Sequence, residues 1–195
     1  MAKNQVMLDT YNWLRDKGLL LGSSRVKPLL TAPAHEVQKP LIFKLLATSA
    51  GATDMSVDGS VTPVDFYAQP PVDEVWFIAR WMLFLQDAKG FNVTTWGSNG
   101  VLTNGIDLLV EVNGTIVNQL DFPVKHNGDI ATIAYDMQLH TFGTGDDILT
   151  ARWSFSKMGQ FLRLDGSTND KLIVRINDNL LSVSKQTVNI QGFKG

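Results

Sequence analysis

The stretch Ile106–Leu120, IDLLVEVNGTIVNQL, decides the fold class. Ile106, Leu108, Val110 and Val112 fall on one side of an extended chain. Asp107 and Glu111 fall on the other, with Leu109 as the exception. A period of two is the mark of a half-buried strand. Asn113-Gly114 follows, and both residues tolerate the positive φ that a two-residue hairpin turn demands. The chain then resumes a strand pattern over Thr115–Leu120. An antiparallel hairpin is the expected result.

The same punctuation recurs on either side. Asn-Gly also falls at 99–100, 104–105 and 127–128, and Asp-Gly at 58–59 and 165–166, so further tight turns are expected there. Between the turn signals lie short strand patterns at Leu41–Leu46, Val61–Tyr67, Ile130–Leu139, Ile148–Phe155, Phe161–Leu164, Lys171–Ile176 and Leu181–Ile190. Pro63 would remove a ladder donor, which makes Val61–Tyr67 an expected edge strand. Short strands at this spacing describe an all-β antiparallel sandwich or barrel.

The longest pattern is Val75–Leu85, VWFIARWMLFL. Unbroken alternation puts Val75, Phe77, Ala79, Trp81, Leu83 and Leu85 on one face and Trp76, Ile78, Arg80, Met82 and Phe84 on the other. Both faces are apolar apart from Arg80. A strand with one wet face would alternate polar with apolar. One face is therefore expected in the core and the other against a cover or a sister subunit. Trp76, Ile78, Met82 and Phe84 are the expected oligomer interface.

Residues 1–40 read as an arm ahead of a sandwich domain at 41–195. Met7, Tyr11 and Leu14 have helical spacing, with Gly18 as a stop, which gives a short helix. Pro28, Pro33 and Pro40 then favour an extended path. Lys3, Arg15, Lys17, Arg25 and Lys27 against Asp9 and Asp16 make residues 1–27 net +3, while the rest of the chain is −5. A mildly basic arm suits an acidic protein surface, but its charge is too dilute for nucleic acid. Trp13, Leu14, Arg15, Leu20, Leu21 and Arg25 are the expected partner-binding residues.

The chain is 195 residues long, with 44% hydrophobic and 18% charged residues, enough apolar surface for a sizeable core. It has no cysteine, which removes disulfides and thiolate chemistry. The amino-terminal stretch has no apolar signal core, and no run approaches the roughly 18 apolar residues of a membrane span, so no membrane role is expected.

A search for catalytic patterns ends without one. His35-Glu36 begins like a zinc-protease motif, but Lys39 stands where the second histidine belongs. His126 and His140 are scattered. Gly143-Thr144-Gly145 opens a dinucleotide fingerprint that Ile148 breaks. Asp165, Asp170 and Asp178 invite a calcium loop, but Asp170 and Ile176 occupy the glycine and glutamate positions of an EF-hand. Those aspartates read instead as turn residues that bond the backbone. Trp96 in TTWGSNG is the one tryptophan placed for sugar stacking. The expectation is a non-enzyme with no cofactor and no metal.

Three segments carry a resemblance: LTNGIDLLV (102–110), ARWSFSKMGQFLRLDGSTNDKLIVRINDNL (151–180) and VNIQGF (188–193). Together they resemble virion structural proteins of tailed bacteriophages. Such proteins often carry two aspartates and a leucine where this chain has Asp178-Asn179-Leu180. The resemblance implies a jelly-roll sandwich and a head decoration, or cement, protein that clamps neighbouring major capsid subunits. It further implies a homotrimer, located in the virion and assembled in the host cytoplasm. A tail, baseplate or fibre-associated structural or receptor-binding protein is the alternative that it leaves open.

Overall fold

The computed structural model describes residues 39–44, 46–47, 54–88, 92–118, 122–133, 136–141, 147–154 and 161–194. The strands are β1 (Lys39–Lys44), β2 (Leu46–Ala47), β3 (Val64–Ala68), β4 (Val75–Asp87), β5 (Ile106–Val112), β6 (Thr115–Asn118), β7 (Asp136–Thr141), β8 (Asp147–Ser154), β9 (Leu162–Asp165), β10 (Lys171–Ile176) and β11 (Lys185–Lys194). One helix, α1 (Asn127–Ile133), lies between β6 and β7. All pairings are antiparallel.

The larger sheet runs β1-β11-β4-β8-β7, with β9 beside the start of β4. The smaller runs β2-β3-β10-β5-β6. With β2, β7 and β9 set aside, first pairs with last. β1 lies on β11, β3 on β10, β4 on β8 and β5 on β6. This nesting is one long hairpin wrapped over itself, the connectivity of a jelly roll. The all-β sandwich expected from the alternation is what forms, and the turn at Asn113-Gly114 joins Val112 to its partner Thr115. Asn113 and Gly114 have φ of 50° and 76°, the left-handed values that this turn requires.

The core lies between the sheets. Phe66 from β3, Ile78 and Leu85 from β4, Leu149 from β8, Leu172 and Ile176 from β10 and Ile190 from β11 are fully or almost fully buried. Residues 1–38 lie outside the described residues, and with them the predicted helix and the residues Trp13, Leu14, Arg15, Leu20, Leu21 and Arg25.

Four expectations need correction. First, β4 does not alternate without a break. In its ladder with β11, Gln191 pairs with Arg80 but Gly192 pairs with Ile78, so Ala79 is an extra residue. A β-bulge of this kind reverses the parity of everything beyond it. Trp76 and Ile78 therefore join Trp81, Leu83 and Leu85 in the core, at 3% and 0% exposure, and are not interface residues. Met82 and Phe84 stay half-buried on the other face. Second, Ile130–Leu139 is not one strand. Its first part belongs to α1, because the His126-Asn127-Gly128-Asp129 segment closes a helix cap. Asp129 Oδ2 accepts from the backbone N–H of His126 at 3.3 Å, and His126 Nδ1 accepts from that of Asp129 at 3.3 Å. This reciprocity is a capping box with histidine in the serine position. Third, β3 is flanked on both sides, by β2 and β10, and Pro63 stands just ahead of it. Fourth, the remaining Asn-Gly and Asp-Gly pairs do not join strands that pair with each other, although Gly100 and Gly105 take the positive φ of 69° and 88° expected of turns. Gly59 and Gly166 instead allow close approach: a Cβ would sit 2.1 Å from Ile176 O and 1.7 Å from Pro71 O.

Two predictions follow from this geometry. Gly192 faces the bulge, and a Cβ there would lie 2.0 Å from Phe77 O. Gly192→Ala should cost about 3 kcal/mol, since overpacking against backbone has no soft neighbour to move. Gly114 has open space around it. Gly114→Ala should cost only about 1 kcal/mol, from positive φ alone. Urea unfolding of both variants gives the order, and the reverse order would contradict the bulge.

The second concerns acid. The turn Gly166–Thr168 is capped by Asp165, which accepts from Ser167 Oγ at 2.7 Å, Arg163 Nη2 at 2.6 Å and Ser167 N at 2.9 Å. The Ser167 hydroxyl, then Arg163, then the Ser167 amide hold its carboxyl at about 2, below the ordinary 3.8. The unfolded chain thus binds a proton at this site that the folded chain refuses. The stabilisation is present above about pH 3.8 and is lost as pH falls towards about 2. Asp165→Asn should flatten the acid limb of a stability-versus-pH curve over that window, and an unchanged limb would exclude this carboxylate as its source.

Candidate docking surface

One end of the sandwich, here termed the crown, gathers the loops at residues 54–63, 92–105, 122–129 and 177–184. Loops carry unpaired backbone groups and need partners to hold a shape. These loops find them in one another. Gly59 N donates to Asp178 O at 2.9 Å, Leu180 N to Val57 O at 2.8 Å, Leu102 N to Lys125 O at 2.9 Å, and Gly128 N to Val93 O at 2.8 Å.

Asp178 is the central brace. It is 8% exposed, and its carboxylate accepts from the backbone N–H groups of Thr103, Asn104 and Gly105 at 3.1, 2.9 and 2.5 Å. Only an acceptor-only side chain suits three converging donors. Gly105 has φ +88°, and a Cβ there would lie 2.8 Å from Val124 O. Asp87, at the crown end of β4, is 1% exposed and accepts from Ser98 N at 2.6 Å and Ser98 Oγ at 2.7 Å. Trp96 is 1% exposed and donates from Nε1 to Gln186 Oε1 at 3.0 Å. It is a core anchor for its loop, and its ring is not open for sugar stacking. Asp165, Asp170 and Asp178 all accept from backbone N–H groups, as turn aspartates should.

These rigid loops carry apolar side chains into solvent. Among the described residues eight large hydrophobics are exposed, and five belong to the crown: Val61, Val93, Val101, Phe122 and Leu181. Apolar residues scattered singly are ordinary, but a concentration on one end is the mark of a contact surface. Because the loops are already fixed, binding there would cost little ordering entropy.

Two other surfaces are less open. The outer face of the larger sheet holds Phe77 stacked on Phe193 with centroids 5.1 Å apart, and Phe161 edge-on to Phe193 at 5.2 Å. Met82 and Phe84 are half-buried on the same face, so β4 is two-sided as its sequence suggested, but their neighbours on β11 and β8 are Asn189, Thr187, Arg152 and Thr150. The outer face of the smaller sheet has a groove of about 260 Å³ over Ile173 and Tyr67. Its charges are paired with each other, Arg175 with Asp65 at 2.7 and 2.9 Å and Lys171 with Glu111 at 3.0 Å.

Among the described residues no three histidine, aspartate or glutamate side chains converge on a metal-sized centre. No protein-family model, curated protein or solved structure matches the chain. The crown was missed in the sequence because its apolar residues sit singly in four separate loops. The available signal was the set of aspartates beside small residues.

Removing the Asp178 brace should test the crown's rigidity. Asp178→Ala leaves three backbone donors without their acceptor, a cost of about 3 kcal/mol or more. Amide exchange at Thr103, Asn104 and Gly105 should rise by more than that of β4, which follows the global stability alone. Equal protection in the variant would show that the brace is not what holds this loop.

Proposed function

We propose that the chain is a structural protein of tailed-phage virions. Its role is that of a head decoration protein that clamps neighbouring major capsid subunits. The observation that carries this reading is the crown, where solvent-facing apolar side chains are held on pre-braced loops. The buried carboxylates Asp87, Asp170 and Asp178 are consumed in bonding loop backbone, which favours a binding role over a chemical one. The jelly-roll connectivity accords with the resemblance of residues 102–110, 151–180 and 188–193 to virion proteins. The apolar outer face of β4, with Met82 and Phe84, favours self-association, and a trimer is the proposed state.

Docking then has two parts. The crown supplies apolar contact, each buried large side chain being worth about 1.5–3 kcal/mol. The basic segment at residues 1–27 supplies attraction to an acidic lattice, setting orientation and rate more than affinity. Several weak contacts per subunit multiply over an oligomer.

Co-sedimentation with undecorated capsids tests this. Val101→Asp with Leu181→Asp should weaken binding by about tenfold or more, because a desolvated charge replaces a buried apolar contact. Deleting residues 1–38 should weaken it further and make what binding remains less sensitive to salt. Full occupancy by both variants would overturn the reading, and adhesion to host cells without capsid binding would favour a fibre-associated role.

A further inference from the structure

Asn-Gly pairs are chemically fragile as well as good turn formers. The glycine backbone nitrogen can attack the asparagine side-chain carbonyl, because glycine has no Cβ to hinder the approach. The chain has such pairs at 99–100, 104–105, 113–114 and 127–128. The reaction needs a glycine N–H open to solvent and a carboxamide free to turn towards it. On these two requirements the fold sets the pairs apart.

Three of the pairs are tied down. Gly105 N donates to Asp178 Oδ2 at 2.5 Å, and Asn104 Nδ2 donates to Asn177 O at 3.1 Å. Gly128 N donates to Val93 O at 2.8 Å, and Asn127 Nδ2 donates to Asn92 O at 3.1 Å. Asn127 is also only 6% exposed. Asn99 is half-buried, its Oδ1 accepts from Ser182 Oγ, and its Nδ2 is shut off from solvent. Asn113-Gly114 differs on each count. Both residues are exposed, and a Cβ on Gly114 would meet nothing within 4 Å. Asn113 donates its backbone N–H to Asp170 Oδ1 at 3.0 Å, but its carboxamide and the Gly114 N–H have no hydrogen-bond partner among the described residues.

We propose that Asn113 is a site of spontaneous deamidation, left open by a fold that guards the other three. Gly114 N loses its proton to solvent base and bonds to Asn113 Cγ. The Cγ–Nδ2 bond breaks, and Nδ2 leaves as ammonia with a proton from water. Water then opens the cyclic imide. Attack at the side-chain carbonyl gives aspartate, and attack at the backbone carbonyl gives isoaspartate, in which the chain runs through Cγ. The net change is water in and ammonia out, with no oxidant and no enzyme. Either product adds one negative charge to a chain of formal net charge −2. That charge stands at the turn which Asp170 braces, at the end of β5 away from the crown. Aspartate is an ordinary residue for this turn. Isoaspartate adds a backbone carbon to a turn that closes directly on Val112 and Thr115.

Peptide mapping of the full chain, held folded in mildly alkaline buffer, tests this. Mass spectrometry reads the amide-to-acid mass gain at each asparagine, and electron-transfer fragmentation separates isoaspartate from aspartate. A guarded pair must first break a hydrogen bond, which slows it by up to about tenfold per bond, so Asn113 should convert about tenfold faster than Asn99, Asn104 or Asn127. In urea the guards are gone, and the rates should converge. Gly114→Ala crowds the attacking nitrogen and should slow conversion at Asn113 while leaving the other three unchanged. Equal rates in the folded chain, or a lead by any of the other three, would overturn the proposal. A lead of Asn113 that persists undiminished in urea would trace it to local sequence and overturn the role of the fold. An Asn113 that converts in urea but not in the folded chain would show the turn closed to the reaction, with the same consequence.

Discussion

The ladder between β4 and β11 is the constraint on which the rest of the structure depends. It joins the longest strand to the last strand over ten paired positions, from Lys185 opposite Gln86 to Lys194 opposite Trp76. The bulge at Ala79 lies within it. Without that extra residue Trp76 and Ile78 would face outward, and the core would lose two of its large side chains near β9. With it, Trp76, Ile78, Trp81, Leu83 and Leu85 all point inward, and Phe77, Met82 and Phe84 make the outer face. Gly192 is the residue that permits the close approach. The sheet's outer surface, and any self-association through it, are therefore consequences of one local irregularity.

From the same ladder the crown inherits its footing. Asp87 ends β4 and holds Ser98, while Gln186 sits near the start of β11 and holds Trp96. The 92–105 loop is thus fastened to both central strands before Asp178 closes it from β10's side. A loop held at so many points has little freedom to lose on binding. For the proposed docking role, such a loop needs no reordering. The carboxylates of Asp87 and Asp178 are turned to the backbone of this loop.

Much of the fold was legible in the sequence, where local physics decides. The 106–118 hairpin follows from alternation and Asn113-Gly114, and β10 has the bounds Lys171–Ile176 that its β-branched run suggests. The bulge was not legible, because parity beyond a bulge depends on the partner strand, and nothing in VWFIARWMLFL marks Ala79. Helix α1 was hidden for a related reason. Asn-Gly at 127–128 is a turn signal by itself, and only the reciprocal bonds between His126 and Asp129 make it a helix start. Trp96 looked like an exposed platform because its neighbours are small and polar, yet Gln186, ninety positions away, draws it into the core. The site was less legible than the fold, since the crown assembles only when four loops meet.

The register of β4 against β11 is the most direct test of this account. Short Hα–Hα and amide contacts across the two strands, read by nuclear magnetic resonance, distinguish the alternatives. The account predicts contacts of Gln191 with Arg80 and of Gly192 with Ile78, and Ala79 without an opposite residue. An unbroken ladder, with Gly192 opposite Ala79 and Phe193 opposite Ile78, would contradict it and return Trp76 and Ile78 to the outer face.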